Sequence, residues 1–425
     1  MIIPLDNVFD EHWIYVHRHQ KTGFNIVVRA LVNCSFSESQ ITQALDALSQ
    51  KHPYLLGKVV EDPGSRQGCH FYLDTSCDNL ISHKIEQATT VQIETLLKQP
   101  SARREYLFDI ENGELANLQL WQNENQCLLE FSCVHLVGDV TAVLLLCKDL
   151  LHYLDQSIVA EPSVNEIAQR LPFDEQRYGW KIEPQAITPL PLPDGAPSNP
   201  EKWPPAKFLY GKYSMPLSKF NEIKTWLKKH GSDAAVGDLF YYVATRLYNE
   251  ADESDLNFSV VLSFRNLLEA ENEKNNINTS VIFSLIDIQD IDGENINVWL
   301  NKLNTTRKAS LSHQGVMGLV NFLRCLNTSL YDADEQTGRA LINAYLPINL
   351  FAFNNFGKVD HYFDHTNNFN VKEIDIQDGV PCQEVRVFSF KERLHIHPML
   401  SPTGPFTPKT FWEKYTTELE KIILN

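Results

Sequence analysis

The sequence predicts a mixed α/β class, with strands and helices interleaved in two parts joined by a linker. Three observations carry this reading. Apolar, β-branched runs of strand length alternate with segments of helical spacing through both halves. Prolines concentrate in one stretch near the middle. The chain has 425 residues, 43% of them hydrophobic and 21% charged, which is ordinary for a globular protein of two or three domains. A disordered chain, a collagen-like chain and a small disulfide scaffold are excluded.

In the first part, residues 26–32 are rich in β-branched side chains and read as a strand. Ser37 and Gln40 form a capping-box pattern, and Ile41, Ala44, Leu45 and Leu48 follow at helical spacing. His52-Pro53 ends that helix, because the residue before proline avoids the helical region. Residues 116–121 and 127–134 read as strands joined by the polar turn 122–126. An apolar helix is expected from about 139 to 154. Between positions 172 and 205 lie nine of the chain's 21 prolines. Proline fixes φ and removes a donor, so this stretch is neither helix nor central strand and reads as an extended linker. The expected units are therefore 1–175, a linker at 176–206, and 207–425.

In the second part, Ser218 is expected to cap a helix carrying Phe220, Ile223 and Leu227, which ends at Lys228, Lys229, His230 and Gly231. Asp233 is expected to start another, with Val236, Phe240, Val243 and Leu247. Residues 257–264 and 280–288 read as strands, and 296–312 and 316–330 as long helices. Residues 350–354 are a further strand, and 384–390 with 394–399 form a hairpin across Lys391-Glu392. Thr407-Pro408 opens the final helix, proline being well placed in a first turn.

Charge and cysteine usage bound the function. Lys plus Arg is 37 and Asp plus Glu is 54, a net charge of -17. A duplex binder needs a basic face, and an anionic membrane attracts basic segments, so neither nucleic acid nor a membrane surface is an expected partner. Eight cysteines include no Cys-x-x-Cys pair and no metal-ligand spacing, so no metal is expected and a reducing compartment is the simplest reading. Residues 1–10 lack a signal-peptide pattern, and the longest apolar run, 142–147, is far short of the roughly 20 residues of a membrane span. A cytoplasmic chain is expected.

No Gly-x-Ser-x-Gly, Walker, Gly-x-Gly-x-x-Gly or His-Glu-x-x-His motif occurs. One segment does carry chemistry: Phe-Ser-Cys-Val-His-Leu-Val-Gly-Asp over 131–139. A bare His-x-x-x-Asp is weak, and it recurs at His70 and Asp74. His135 is set apart by context, since it lies where a strand ends and an apolar helix begins, with Gly138 allowing a tight turn. Such junctions can aim a side chain into a cleft. On these facts alone, a hydrogen-bonded core histidine is an equal alternative.

An ordered set of features resembles the chloramphenicol acetyltransferase-like superfamily, which includes BAHD acyltransferases, alcohol acetyltransferases and condensation domains. The helix at 44–51 ending in His52-Pro53-Tyr54-Leu55 resembles an early element of that family, and His135 to Asp139 its His-x-x-x-Asp-Gly motif. Residues 236–244 resemble the helix opening its second subdomain, Ser263-Phe264-Arg265 its arginine-bearing strand end, and Asn354-Asn355-Phe356-Gly357-Lys358-Val359 its late Asn-x-Gly or Asp-Phe-Gly element. Val140 stands where the family usually has glycine, and Val134 where many members have a second histidine.

The resemblance implies two subdomains with mixed sheets flanked by helices and an active-site channel between them. It implies an acyltransferase of secondary metabolism that moves an acyl group from acyl-CoA or a phosphopantetheinyl thioester to a hydroxyl or amine of a small molecule. No cofactor is permanently bound, and a monomer is the default. His135 is the implied base, since an alcohol is a poor nucleophile near neutral pH and imidazole suits proton removal. Asp139, with Gly138, supports the catalytic loop, and Arg265 is its candidate partner. Thr279, Ser280, Ser284, Asn355 and Gly357 are candidate oxyanion or substrate contacts. Other readings are a stand-alone condensation-type enzyme acting on an acyl-carrier protein, and a catalytically inactive ligand-binding member of the fold.

Between positions 201 and 230, seven lysines stand against two acidic residues. An anionic donor could dock there, although lysines on a solvated helix are the commoner case. His395 and His397 read as the polar face of a hairpin strand. His17, His19, His361 and His365 also take a structural reading.

Overall fold

A computed structural model describes residues 2–5, 8–61, 71–76, 80–156, 186–196, 208–230, 232–251, 257–267, 281–285, 295–346, 350–364, 366–379 and 382–424. Two sheet-containing bodies are flanked by helices. The first is built on a five-stranded sheet in the order β13-β2-β7-β6-β5. Its strands are β2 (Asn25–Val32), β5 (Ser82–Gln87), β6 (Ala116–Asn123), β7 (Gln126–Val134) and β13 (Val371–Asp378). Helices α2 (Glu38–Lys51), α3 (Thr90–Lys98) and α4 (Val140–Asp155) flank it. A small sheet of β1 (Ile2–Pro4), β4 (Phe71–Asp74) and β3 (Lys58–Glu61) lies beside it.

The second body is built on a seven-stranded sheet. Its main path is β11 (Val281–Leu285), β10 (Asn257–Ser263), β12 (Leu350–Lys358), β14 (Gln383–Phe390), β15 (Arg393–Leu400) and β8 (Leu209–Tyr210), with β9 (Tyr213–Pro216) also on β15. Its apolar face, with Phe258, Phe351, Phe353, Val385, Val387, Leu394 and Ile396, packs under α5 (Ser218–Lys229), α6 (Val236–Glu250), α7 (Ile296–Ser310) and α10 (Pro408–Leu424). Helices α8 (His313–Tyr331) and α9 (Glu335–Tyr345) instead meet α1 (Val8–Gln20), an element without a counterpart among the sequence expectations.

Local signals place most elements well. Ser37 accepts from Gln40 N–H and the Gln40 side chain returns the bond, as a capping box should. Lys391 and Glu392 have φ of 48° and 58°, the left-handed pair of a two-residue hairpin turn. Two starts differ. Ser218 is the first residue of α5, which has no side-chain cap, and α6 begins at Val236 rather than near Asp233. There the carboxylate of Asp238, inside the helix, accepts from the Ala235 N–H at 2.6 Å and does the work expected of a cap.

β13 follows the second body's strand β12 in sequence but pairs with β2, Asp378 opposite Ile26, and so completes the first body's sheet. Its free edge lies along the other face of the seven-stranded sheet. That face is polar, carrying Ser259, Asn354, Glu384, Arg386 and His397, all at most 4% exposed. The seam between the bodies is therefore a buried polar layer. Tyr210 Oη donates to Asp375 Oδ1, His397 Nδ1 lies 3.2 Å from the same oxygen, and Lys212 pairs with Glu373 at 2.7 Å. His397 is thus a fully buried member of this layer, where the sequence suggested the polar face of a hairpin.

Candidate active site

Strand β7 ends at Val134, and residues His135–Val137 form a single 3-10 turn before α4. The His135 N–H donates to Phe24 O at 2.8 Å, and Gly138 N–H closes the turn onto His135 O at 3.2 Å. This fixes the backbone on both sides of the imidazole. The indole of Trp13, on α1, stacks on the ring with centroids 4.1 Å apart and planes inclined by 22°. His135 is 4% exposed, and its Nδ1 is buried without a hydrogen-bond partner.

Asp139 caps α4. Its Oδ1 accepts from Ala142 N–H at 2.9 Å and from Arg265 Nη2 at 2.7 Å. Arg265 stands in the short turn after β10 of the other body, and both side chains are buried. The carboxylate is thus consumed in holding the loop and the seam. Tyr362, in a short turn after β12, lies within electrostatic reach of this pair; burial raises its phenol above the usual value, the Arg265 charge lowers it and that of Asp139 raises it.

Of the other expected site residues, Asn355, Gly357 and Ser284 fall among the described ones. Asn355 is exposed, and its Oδ1 accepts from Gly357 N–H at 3.0 Å across a bulge in β12, where Gly357 has φ of 68°. Ser284 lies on β11, two strands from β12, with only its backbone described. Thr279, Ser280, His70 and His365 lie outside the described residues. Among those described, no group of three metal-ligating side chains occurs. The lysine-rich segment is largely engaged: Lys212 with Glu373, Lys219 with Glu222 at 2.9 Å, and Lys224 over the Phe220 ring. Lys202 and Lys207 lie outside the described residues. No described helix is long and apolar enough to cross a membrane.

No protein-family model and no curated protein matches the chain. Solved structures do. The condensation domain of the Monacolin K polyketide synthase MokA superposes with a TM-score of 0.66 at 12% identity, over 100% of this chain and 98% of that one. F. graminearum TRI101, complexed with coenzyme A and T-2 mycotoxin, gives 0.65 at 11% identity, over 99% and 97%. The epimerization domain from the third module of tyrocidine synthetase B gives 0.64 at 12%, over 100% and 96%. This is the chloramphenicol acetyltransferase-like fold.

Within that fold, the two departures at the motif are absorbed by packing. Val140 is the first residue of α4 and, 8% exposed, joins the first body's core, a position whose helical backbone makes no demand for glycine. Val134 is a core residue at the end of β7, paired with Asn25 of β2. Sequence reasoning missed Trp13 and Tyr362. For Trp13 a signal was present: Phe9, Trp13 and Val16 recur at helical spacing.

Proposed function

We propose that the chain is an acyltransferase with His135 as its general base, passing an acyl group from a thioester to the hydroxyl or amine of a small molecule. The observation that carries this is the placement of His135: a ring clamped by Trp13, on a loop whose Asp139 is tied to Arg265 of the other body. In the proposed step, the imidazole takes the acceptor's proton as the oxygen or nitrogen bonds to the thioester carbonyl carbon. The carbon–sulfur bond then breaks, and the proton passes to the leaving thiolate, so a free thiol is released. Asp139, engaged by Arg265 and Ala142, positions the loop and takes no proton. Thr279, Ser280, Ser284 and Asn355 stay as proposed donors to the tetrahedral oxyanion. Support for a coenzyme A thioester comes from the TRI101 structures, which were complexed with coenzyme A.

The test is thiol release from acyl-coenzyme A of graded chain length, with a panel of alcohols and amines. His135→Ala is expected to lower the rate by roughly 10²- to 10⁴-fold, the usual span of general acid–base catalysis, with unchanged thermal unfolding. A fully active variant overturns the mechanism. Turnover with an acyl-carrier protein but with no acyl-coenzyme A would assign the chain to condensation chemistry.

A further inference from the structure

A histidine that acts as a base must carry a positive charge for part of each cycle. At His135 the surroundings restrict how that charge is met. Nδ1 is enclosed and has no hydrogen-bond partner, so a proton can enter and leave only at Nε2. Nε2 accepts in the tautomer that keeps hydrogen on Nδ1, and protonation then makes both nitrogens donors on a cationic ring. The residue is 4% exposed, so water solvates little of that charge.

The usual counter-charge, a carboxylate on the far nitrogen, is absent among the described residues. The ionisable side chains at this end of the surrounding elements are Asp10, Glu11, His12 and His17 of α1, Cys133 of β7, Asp139 before α4, Arg265 after β10 and Tyr362 after β12. Asp139 is taken up by Arg265 at 2.7 Å, and together they add no net charge. Tyr362 lies beside that pair. Glu11 accepts from Tyr15 and Asn327, and His17 Nε2 is engaged by Phe108 O at 2.9 Å. Burial lowers His12 to about 4 and raises the Cys133 thiol, so both are neutral near pH 7. Asp10, 2% exposed and three residues before Trp13, has no hydrogen bond to the imidazole.

What does meet the ring is an aromatic face. The Trp13 indole lies over it, with centroids 4.1 Å apart and planes 22° from parallel. That is well inside the roughly 6 Å within which an aromatic face attracts a cation, and indole is the strongest such face. Phe24 fixes both partners. Its carbonyl accepts from the His135 N–H at 2.8 Å, and its ring meets the indole with centroids 5.6 Å apart. Platform and base are thus held to one residue that is itself 2% exposed.

We propose that Trp13 is a positioning residue that acts through charge, its indole face stabilising the imidazolium formed on His135 when Nε2 takes a proton. In the transfer reaction this favours the step in which the acceptor's O–H or N–H bond breaks. The cation is discharged when the proton passes on to the leaving thiolate. That part in turnover rests on the acyltransferase reading; the contact between indole and imidazolium does not.

The experiment places mono- to tetrafluorinated tryptophan analogues at position 13 alone in the full chain. Fluorine draws electron density from the ring face and changes its shape little. Thiol release should show kcat falling stepwise with fluorination, by roughly tenfold at the tetrafluoro analogue, with KM unchanged. A ring that only restrains the imidazole predicts a flat series, and a flat series overturns the proposal. So does a fall in kcat in Asp10→Asn with none on fluorination, which would give the counter-charge to that carboxylate. A second readout needs no turnover. An imidazolium stacked on indole quenches its emission, so acidifying the parent chain through the imidazole range should dim its tryptophan fluorescence. One component of that loss should vanish in both His135→Gln and Trp13→Phe, with melting temperatures showing each variant folded. The same acid quench in all three chains overturns the contact. A quench that behaves as expected, with no thiol released from any donor, would sink the transfer reaction alone.

Discussion

Arg265 Nη2 and Asp139 Oδ1 meet at 2.7 Å although 126 residues separate them in the chain. One belongs to the turn after β10 in the second body, the other to the N-cap of α4 in the first. A buried ion pair thus ties the loop that carries His135 to the opposite half of the molecule.

Removing either partner leaves a buried charge uncompensated. Arg265→Met is expected to cost about 3–5 kcal/mol by urea unfolding, the range for breaking a buried pair. Asp139→Asn keeps a good N-cap acceptor for Ala142 but loses the charge, so it should cost less than Asp139→Ala, which loses both. Equal costs for the two Asp139 variants would argue against the capping contribution.

Trp13 covers one face of His135. Trp13→Phe should keep much of the transfer rate, because a flat ring still restrains the imidazole. Trp13→Ala frees the ring and is expected to lower kcat by about tenfold with KM little changed, consistent with about 0.5–1.5 kcal/mol for an aromatic contact. A change confined to KM would recast Trp13 as a substrate contact.

Val140→Gly restores the residue usual in the family's motif. Here it would remove a buried side chain from the first turn of α4 and loosen the backbone. The expected result is a loss of about 2–4 kcal/mol with no gain in transfer rate. A faster enzyme would show that valine restrains catalysis.

Acid should unfold the protein early. Burial lowers His12 and His397 from 6.5 to about 4 each. Between these values the unfolded chain binds protons that the folded chain refuses. Stability is therefore complete above about pH 6.5 and is lost as pH falls toward 4, by up to about 3 kcal/mol per histidine. Urea midpoints measured across this window should fall, and less steeply in His12→Asn.

Glu11 acts in the opposite sense. Burial raises it from 4.5 to about 7, against hydrogen bonds from Asn327 and Tyr15. Its contribution is fully present below about pH 4.5 and is lost as pH rises toward 7, because the folded state must then hold a charge it disfavours. Glu11→Gln should raise the melting temperature at pH 8 relative to the parent and narrow the difference at pH 5.

Much of the fold was legible where the physics is local. The capping box at Ser37 and Gln40, the strand–turn–helix around His135 and the proline at the start of α10 all speak through a few neighbouring residues. β13 was not legible, because Glu373, Asp375 and Asp378 disguise the alternation of Ile374 with Ile376 as a polar loop. Asp375 is tolerated inside because His397, Tyr210 and Arg29 meet it, while Lys212 pairs with the partly exposed Glu373.

By itself, then, the sequence determined the class of the protein, the run of elements on either side of the proline-rich stretch, and the histidine most worth suspecting. Tertiary structure alone decided that Trp13 lies on His135, that β13 crosses to the other body, and that Arg265 meets Asp139. The reason is physical. Periodicity and capping act over one or two turns of chain, whereas burying a polar group depends on which distant partner arrives to satisfy it.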